Sequence, residues 1–387
     1  MDFEQKIEAI KQNKKKTFKV TPYEIAQYFG YQRRSWGLAE RVNSFLDANE
    51  MELNGDFYDV WFHTELLMSH KSSVVKKAQL TSTTRITGTK YIREHTFKSG
   101  HKVSIFEAET YHGLTQLIGK AKFVNKEYGV VMYRGECKLH DNVLPSLFRG
   151  RSNVAGAVAD LNTIKNRITR DSKLSNFIKL SDDPRNSNEQ LEGLLQHYGV
   201  KTRYIDVVDN HWVAIWMGLH ECLEYNLSGK YYRYQKREIP VADLLDHVIC
   251  EDTSKMELED KYYQYLLLIA LPSPIEYDKG IGIHDNYKII DLRQAVPSTF
   301  LRPHAQHGIV IRKAGRGNDK VEDYDFSKDV VCIIRIRIDR AALWLGEGQL
   351  MRQDSLFPAP AFDHGYSLLL QRKDIFENTP YQILHYI

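Results

Sequence analysis

The sequence predicts an α+β protein: a mixed or antiparallel sheet domain with a helical insert, preceded by a small helical module. Three observations carry this reading. Capped and amphipathic helical patterns occupy residues 21–46 and 153–200, whereas apolar runs of strand character cluster late, at 265–270, 289–292, 307–311 and 330–336. That order favours α+β over a doubly wound parallel sheet. The 387 residues suffice for two or three domains, and 42% hydrophobic with 27% charged residues is ordinary globular usage, which sets aside disorder and collagen.

Charge and cysteine usage narrow the class further. With 53 Lys+Arg against 50 Asp+Glu the net charge is only +3, so any basic surface is local. Cys137, Cys222, Cys250 and Cys332 are far apart and form no CxxC pair, so they read as free thiols in a reducing cytoplasm, with no zinc ribbon. The start, Met1 to Lys6, has no apolar leader, and the run Leu266 to Leu271 falls far short of the roughly 20 residues that cross a bilayer. The expectation is a cytoplasmic protein without a membrane partner.

The elements follow in order. Residues 1–16, ending Lys14-Lys15-Lys16, read as a solvated basic helix or arm. Thr21-Pro22-Tyr23-Glu24 places a capping hydroxyl, a proline at the first helical position and a glutamate at the third, so a helix starts there; Ile25, Ala26 and Phe29 share its face and Gly30 stops it. Leu38, Val42, Phe45 and Leu46 mark a second helix, and the aromatic run Asp56 to Phe62 predicts a strand. Residues 17–70 thus resemble a small winged-helix-like module. Arg33 and Arg34 beside Trp36 suit phosphate contact, or a packing tryptophan flanked by solvated arginines. Residues 71–102 carry eight Lys/Arg, from Lys71 to Lys102, against the single acid Glu94, and read as a basic connector, part linker and part short strands, through which nucleic acid or protein could be contacted. The main domain then runs from 103 to 372, with strands at 103–106 and 129–135 flanking a helix over Leu114, Leu117, Ile118 and Ala121, and a tail at 373–387.

No GxxxxGK[ST] loop, HExxH, GxSxG elbow or GxGxxG junction is present, and His304-x-x-His307 lacks a third ligand at suitable spacing, so no metal is expected. Two polar clusters stand out inside apolar patterns, where burial is costly unless the groups pair or bind something. One is Tyr133-Arg134-Gly135-Glu136 followed by Leu144-Pro145-Ser146-Leu147-Phe148-Arg149. The other runs Gln196-His197-Tyr198-Gly199, Thr202-Arg203, Asp206, then Val213-Ala214-Ile215-Trp216. Arg134 suits a bidentate grip on a pyrophosphate or carboxylate, with Tyr133 as a stacking face. Asp206 suits stabilisation of positive charge developing on a ribose, and His197 suits proton transfer. Tyr198 could stack or donate, and Gln306 only hydrogen-bond. The alternative is an internal network in which Arg134 and Arg203 pair with Asp206 and Asp209 and no ligand is needed. Tyr231 to Tyr234 and Tyr262 to Tyr265 could stack bases, or simply fill a sheet.

These clusters resemble the FRG domain family, from the aromatic-Arg-Gly element Tyr133-Arg134-Gly135 through Gln196-His197-Tyr198-Gly199, Thr202-Arg203, Asp206 and Gln306-x-Gly308 to Leu356-Phe357-Pro358. The layout is more remotely similar to Arg-Ser-Glu class ADP-ribosyltransferases, except that no Ser-Thr-Ser is present and Gln306-His307-Gly308 stands where that class carries a glutamate. The resemblance implies a pocket for a nucleotide or NAD. His197 and Asp206 would be the catalytic pair, and Tyr133, Arg134, Gly135, Gln196, Tyr198, Thr202, Arg203 and Gln306 would bind the ligand. The setting would be a toxin or phage-defence effector, and the rival reading is a non-catalytic regulator that binds nucleic acid or protein.

Overall fold

A computed structural model describes the chain except residues 56, 59, 72–74, 151–153, 227–228, 240–259, 285–286 and 314–319, together with the side chains of 185 and 276. Cys250 therefore lies outside the described residues; Cys137, Cys222 and Cys332 are free thiols.

The amino-terminal module is built from α1 (Phe3–Gln12), β1 (Thr17–Val20), α2 (Pro22–Tyr28), α3 (Trp36–Ala48), β2 (Met51–Leu53) and β3 (Leu66–His70), with an antiparallel sheet in the order β1-β3-β2. The expected cap is present at α2: Thr21 accepts from the Glu24 amide and the Glu24 side chain accepts from the Thr21 amide. Residues 3–12 form a helix, one of the two forms expected of this basic stretch, but the helix is packed rather than solvated. Phe3, Ile7 and Ile10 put the apolar stripe of α1 into the same core as Val20, Ile25, Val42 and Met68. Among the described residues of 56–62 no strand forms: 57, 58 and 62 lie in turns and 60 in a bend. The Arg34 guanidinium donates to the carbonyls of Phe57 (3.0 Å), Tyr58 (2.9 Å) and Val60, so it occupies acceptors that a neighbouring strand would have used. Arg34 is thus a structural clasp, and Trp36, 51% exposed, is no packing tryptophan.

The remaining chain forms a ten-stranded mixed sheet and a separate antiparallel pair. Its elements are β4 (Thr89–Thr96), β5 (Lys102–Ala108), α4 (Tyr111–Val124), β6 (Gly129–Glu136), α5 (Val154–Arg170), α6 (Ser172–Ile178), α7 (Pro184–His197), β7 (Ile205–Val208), α8 (His211–Leu219), β8 (His220–Asn226), β9 (Lys230–Lys236), β10 (Tyr263–Pro272), β11 (Glu276–Asp278), β12 (Ile281–His284), β13 (Tyr287–Asp291), α9 (Leu292–Ala295), α10 (Leu301–Ala305), β14 (Gly308–Lys313), β15 (Val330–Arg337), α11 (Ile338–Trp344), α12 (Gln353–Leu356) and α13 (His364–Gln371). The separate pair is β8-β9, and the strand order of the large sheet is β11-β12-β13-β14-β7-β6-β10-β15-β5-β4, antiparallel except where β15 meets β5. The sheet therefore takes in residues 89–96, which the sequence assigned to the connector.

Apolar side chains cover both faces of the sheet. One face packs α4, α8 and α11 through Leu114, Val213, Trp216 and Ala341. A separate core joins α5, α6, α7 and α13 through Leu161, Ile164, Leu194 and Leu369. Central β10 and β15 are buried almost throughout, as expected of strands covered on both faces. Among the described residues no helix is long and apolar enough to cross a membrane.

The sheet is not uniformly knitted. β10 pairs with β6 over eight residues, but β6 touches β7 through the single pair Tyr133 and Val208. Beyond that pair the two strands part, and the site lies in the gap.

Candidate functional site: a polar cleft with an aromatic wall

Arg134 spans the gap where β6 and β7 diverge. Its Nη1 donates to the Asp206 carbonyl (2.9 Å) and its Nε to Glu136 Oε1 (2.6 Å). A side-chain bond thus replaces the ladder bond the strands no longer make, and it fixes the guanidinium. Burial opposes the Arg134 charge, but Glu136 and then Asp206 outweigh it and raise its pKa. Gly135 lets α8 lie directly on β6: a Cβ there would run into the Ala214 carbonyl oxygen and the Gly218 amide.

Asp206 leaves β7 with its carboxylate 46% exposed, and α7 orients it. Gln196 Nε2 donates to Asp206 Oδ2 (2.9 Å), while Thr202 Oγ1 donates to Gln196 Oε1 (2.6 Å) and so fixes which way the amide points. His197 is buried, with Nε2 3.6 Å from Asp206 Oδ1. Burial lowers its pKa, the nearby Asp206 charge only partly restores it, and Arg302 lowers it further, so the imidazole is neutral at pH 7. Gly308 leaves room for that ring, since a Cβ there would meet His197 Cε1. Gln306 caps α10 and donates through Nε2 to the Leu356 carbonyl (2.8 Å).

One cleft of about 240 Å³ is lined by Tyr133, Arg134, Gly135, Gln196, His197, Asp206 and Gln306, with Ala214 and Met217 of α8 and an aromatic wall of Tyr234, Phe357 and Tyr386; the Tyr133 ring is itself buried, with Lys122 over it, so it does not offer the open stacking face expected of it. Segments far apart in the chain, from β6 to Gln306, therefore meet at a solvent-reachable hollow. Arg134 is a fixed cation, Asp206 an accessible carboxylate and His197 a neutral imidazole beside it. That set can hold an anion, stabilise a developing cation and accept a proton.

Three expected ligand contacts lie elsewhere. Tyr198 is fully buried; its hydroxyl donates to Asp363 Oδ2 (2.7 Å) and its ring stacks on Tyr366. Thr202 is buried and acts on the cleft only through Gln196. Arg203 turns away to Glu192, which it meets through Nε (2.9 Å) and Nη2 (2.5 Å). The internal network also differs from its expected form, because Asp209 pairs with Arg293 (2.9 Å) and His307, while Glu189 and Glu192 take the buried cations. Local spacing cannot distinguish these cases, since adjacent residues leave a turn in opposite directions.

The sequence reading missed part of the wall. Tyr234 belongs to the aromatic run 231–234 and Phe357 to Leu356-Phe357-Pro358, but nothing local places either in the site, and Tyr386 carries no sequence signal. Tyr262 and Tyr265, of the second aromatic run, are buried.

The FRG domain family model matches residues 129–226, so the chain carries an FRG domain there. That stretch runs from β6 into β8 and holds Tyr133, Arg134, Gln196, His197 and Asp206, whereas Tyr234, Gln306, Phe357 and Tyr386 lie beyond it. No curated protein and no solved structure matches the chain.

Proposed function

We propose that the cleft binds a nucleotide of the NAD type, with ADP-ribosyl transfer or NAD hydrolysis as its chemistry. The observation that carries this is the convergence of Arg134, His197, Asp206 and Gln306, from separate segments, on one open cleft faced by aromatic rings. Arg134 supplies the anion grip, and the wall supplies a stacking surface. In the chemical step the nicotinamide–ribose C–N bond breaks and its electron pair leaves with nicotinamide, which departs neutral. Positive charge develops on the ribose opposite the Asp206 carboxylate. Water or an acceptor hydroxyl then bonds to the ribose carbon and passes its proton to the neutral His197. A toxin or phage-defence effector would use such a reaction.

Calorimetric titration of the protein with NAD and with ADP-ribose, alongside Arg134→Ala and Asp206→Ala, tests this. Arg134→Ala should weaken ADP-ribose by about tenfold or more, in line with loss of a charge-assisted bond. Asp206→Ala should abolish turnover of labelled NAD. Equal titrations for all three proteins would remove the reading.

A second reading, a regulator that binds nucleic acid or protein, draws support from the amino-terminal module. Its element order α1-β1-α2-α3-β2-β3 and its sheet order β1-β3-β2 support a winged-helix-like unit. Binding to duplex DNA that weakens steeply between about 50 and 200 mM salt would favour it. A flat salt response would not.

A further inference from the structure

The aromatic wall has a charged back. Arg302 is fully buried, and its guanidinium carbon lies 4.5 Å from the ring centroid of Tyr386 and 5.3 Å from that of Phe357. Tyr366 (4.5 Å) and Tyr198 (4.7 Å) complete the cage. Its Nη1 donates to the His197 carbonyl (2.8 Å), while Nε and Nη2 find no acceptor at good geometry. The buried Asp363 accepts from the Arg302 amide (3.1 Å) and from Tyr198 and Tyr366, so it tempers the charge without capping the guanidinium fork.

The wall is also built to stay in place. The chain from Ile383 to Ile387 runs alongside β9 and is clamped there. The Leu384 amide donates to the Tyr198 carbonyl (3.0 Å), the Tyr232 amide to the His385 carbonyl (2.8 Å) and the Ile387 amide to the Tyr232 carbonyl (2.9 Å), and the Tyr386 amide donates to the Tyr366 hydroxyl (2.9 Å). The Tyr386 ring is thereby fixed 5.1 Å from Phe357 and nearly parallel to Tyr234, at 5.9 Å.

We infer that Tyr386 is the stacking face for the neutral purine of the ligand, and that a pyridinium ring is turned away from it. This rests on the nucleotide reading above. A cation on one face of an aromatic ring draws on the π density that the other face would offer to a second cation. A like charge stacked on the wall would also stand about 8 Å from Arg302, which at a half-buried site opposes it by roughly tenfold or more. A neutral, electron-rich purine meets no such penalty. The positive ring of a dinucleotide then lies toward the half-exposed Asp206 carboxylate.

Adenosine monophosphate and nicotinamide mononucleotide carry the same phosphate and differ in the base, so they separate the two arrangements. Titrated into wild type and Tyr386→Leu, the adenine nucleotide should lose about tenfold in affinity with the ring, the loss expected of one base stack. The pyridinium nucleotide should lose less than about twofold, since its ring stacks on nothing that was removed. Saturation-transfer NMR of NAD on the wild-type protein should mark the adenine protons more strongly than the pyridinium protons, a readout that does not depend on the variant folding. Equal losses for both nucleotides, or stronger transfer to the pyridinium protons, would overturn the assignment while leaving a nucleotide site intact. Failure of both nucleotides to bind wild type would instead remove the nucleotide reading, and the wall assignment with it.

Discussion

Replacing Glu192 by glutamine should cost the fold about 3–5 kcal/mol, because it strands two buried cations. Glu192 is fully buried on α7; Lys165 Nζ lies 3.0 Å from Oε2, Arg203 donates to both oxygens, and the Arg203 amide donates to Oε1 (3.1 Å). Burial alone would raise the Glu192 pKa, but Arg203 and then Lys165 outweigh it and hold the carboxyl down at about 2 from its ordinary 4.5. At 1.36 kcal/mol for each tenfold this difference corresponds to roughly 3 kcal/mol, the low end of the range for breaking a buried pair. A depressed carboxyl pKa gives stability that is fully present above the unfolded value and lost as pH falls through the folded one. The wild type should therefore lose this term between about pH 4.5 and pH 2, with less than half remaining near pH 3, whereas the glutamine variant has nothing to titrate there. Urea denaturation of both proteins at pH 7, 5, 4 and 3 measures the gap. A gap under about 1 kcal/mol at pH 7, or one that stays constant to pH 3, would show that Arg203 and Lys165 do not depend on this carboxylate.

Two further outcomes follow from the packing around the cleft. Gly135→Ala should destabilise by about 3 kcal/mol in urea, because its methyl meets backbone atoms of α8 that cannot rotate aside; a loss below about 1 kcal/mol would mean that α8 does not lie directly on β6. His211, whose pKa is lowered to about 4 first by burial and then by Lys122, should show neutral-imidazole shifts in NMR down to about pH 5. With a depressed folded pKa, it stabilises above the ordinary histidine value and subtracts as pH falls toward 4, and titration near 6.5 would contradict its burial.

Local chemistry was legible wherever one short segment settled its own conformation. The Thr21-Pro22-Tyr23-Glu24 cap, the helix over Leu114 to Ala121 and the buried strands at 265–270 and 330–336 need only neighbouring residues, and all are present. The polar clusters around Arg134 and His197 to Asp206 were legible for a related reason, since polar groups inside apolar patterns must be paired or used. Residues 56–62 failed the same approach: their strand character was real as composition, but Arg34, more than twenty residues earlier, claimed their carbonyls. Residues 1–16 were legible as a helix but not as a packed one, because their lysines masked the apolar stripe of Phe3, Ile7 and Ile10 that α1 buries.

Sequence alone thus determined the α+β class, the capped helices, the buried strands and the residue types at the cleft, because propensity, periodicity and desolvation cost act within a few residues. Tertiary structure alone decided which side chains face the cleft. Gln196 and His197 reach it while Tyr198 and Arg203 turn into buried pairs, and Tyr386, nearly two hundred residues beyond His197, supplies the wall. The physical reason is that a cleft is made where strands fail to pair: β6 and β7 part after one residue pair, and what fills the gap is set by contacts that no local pattern encodes.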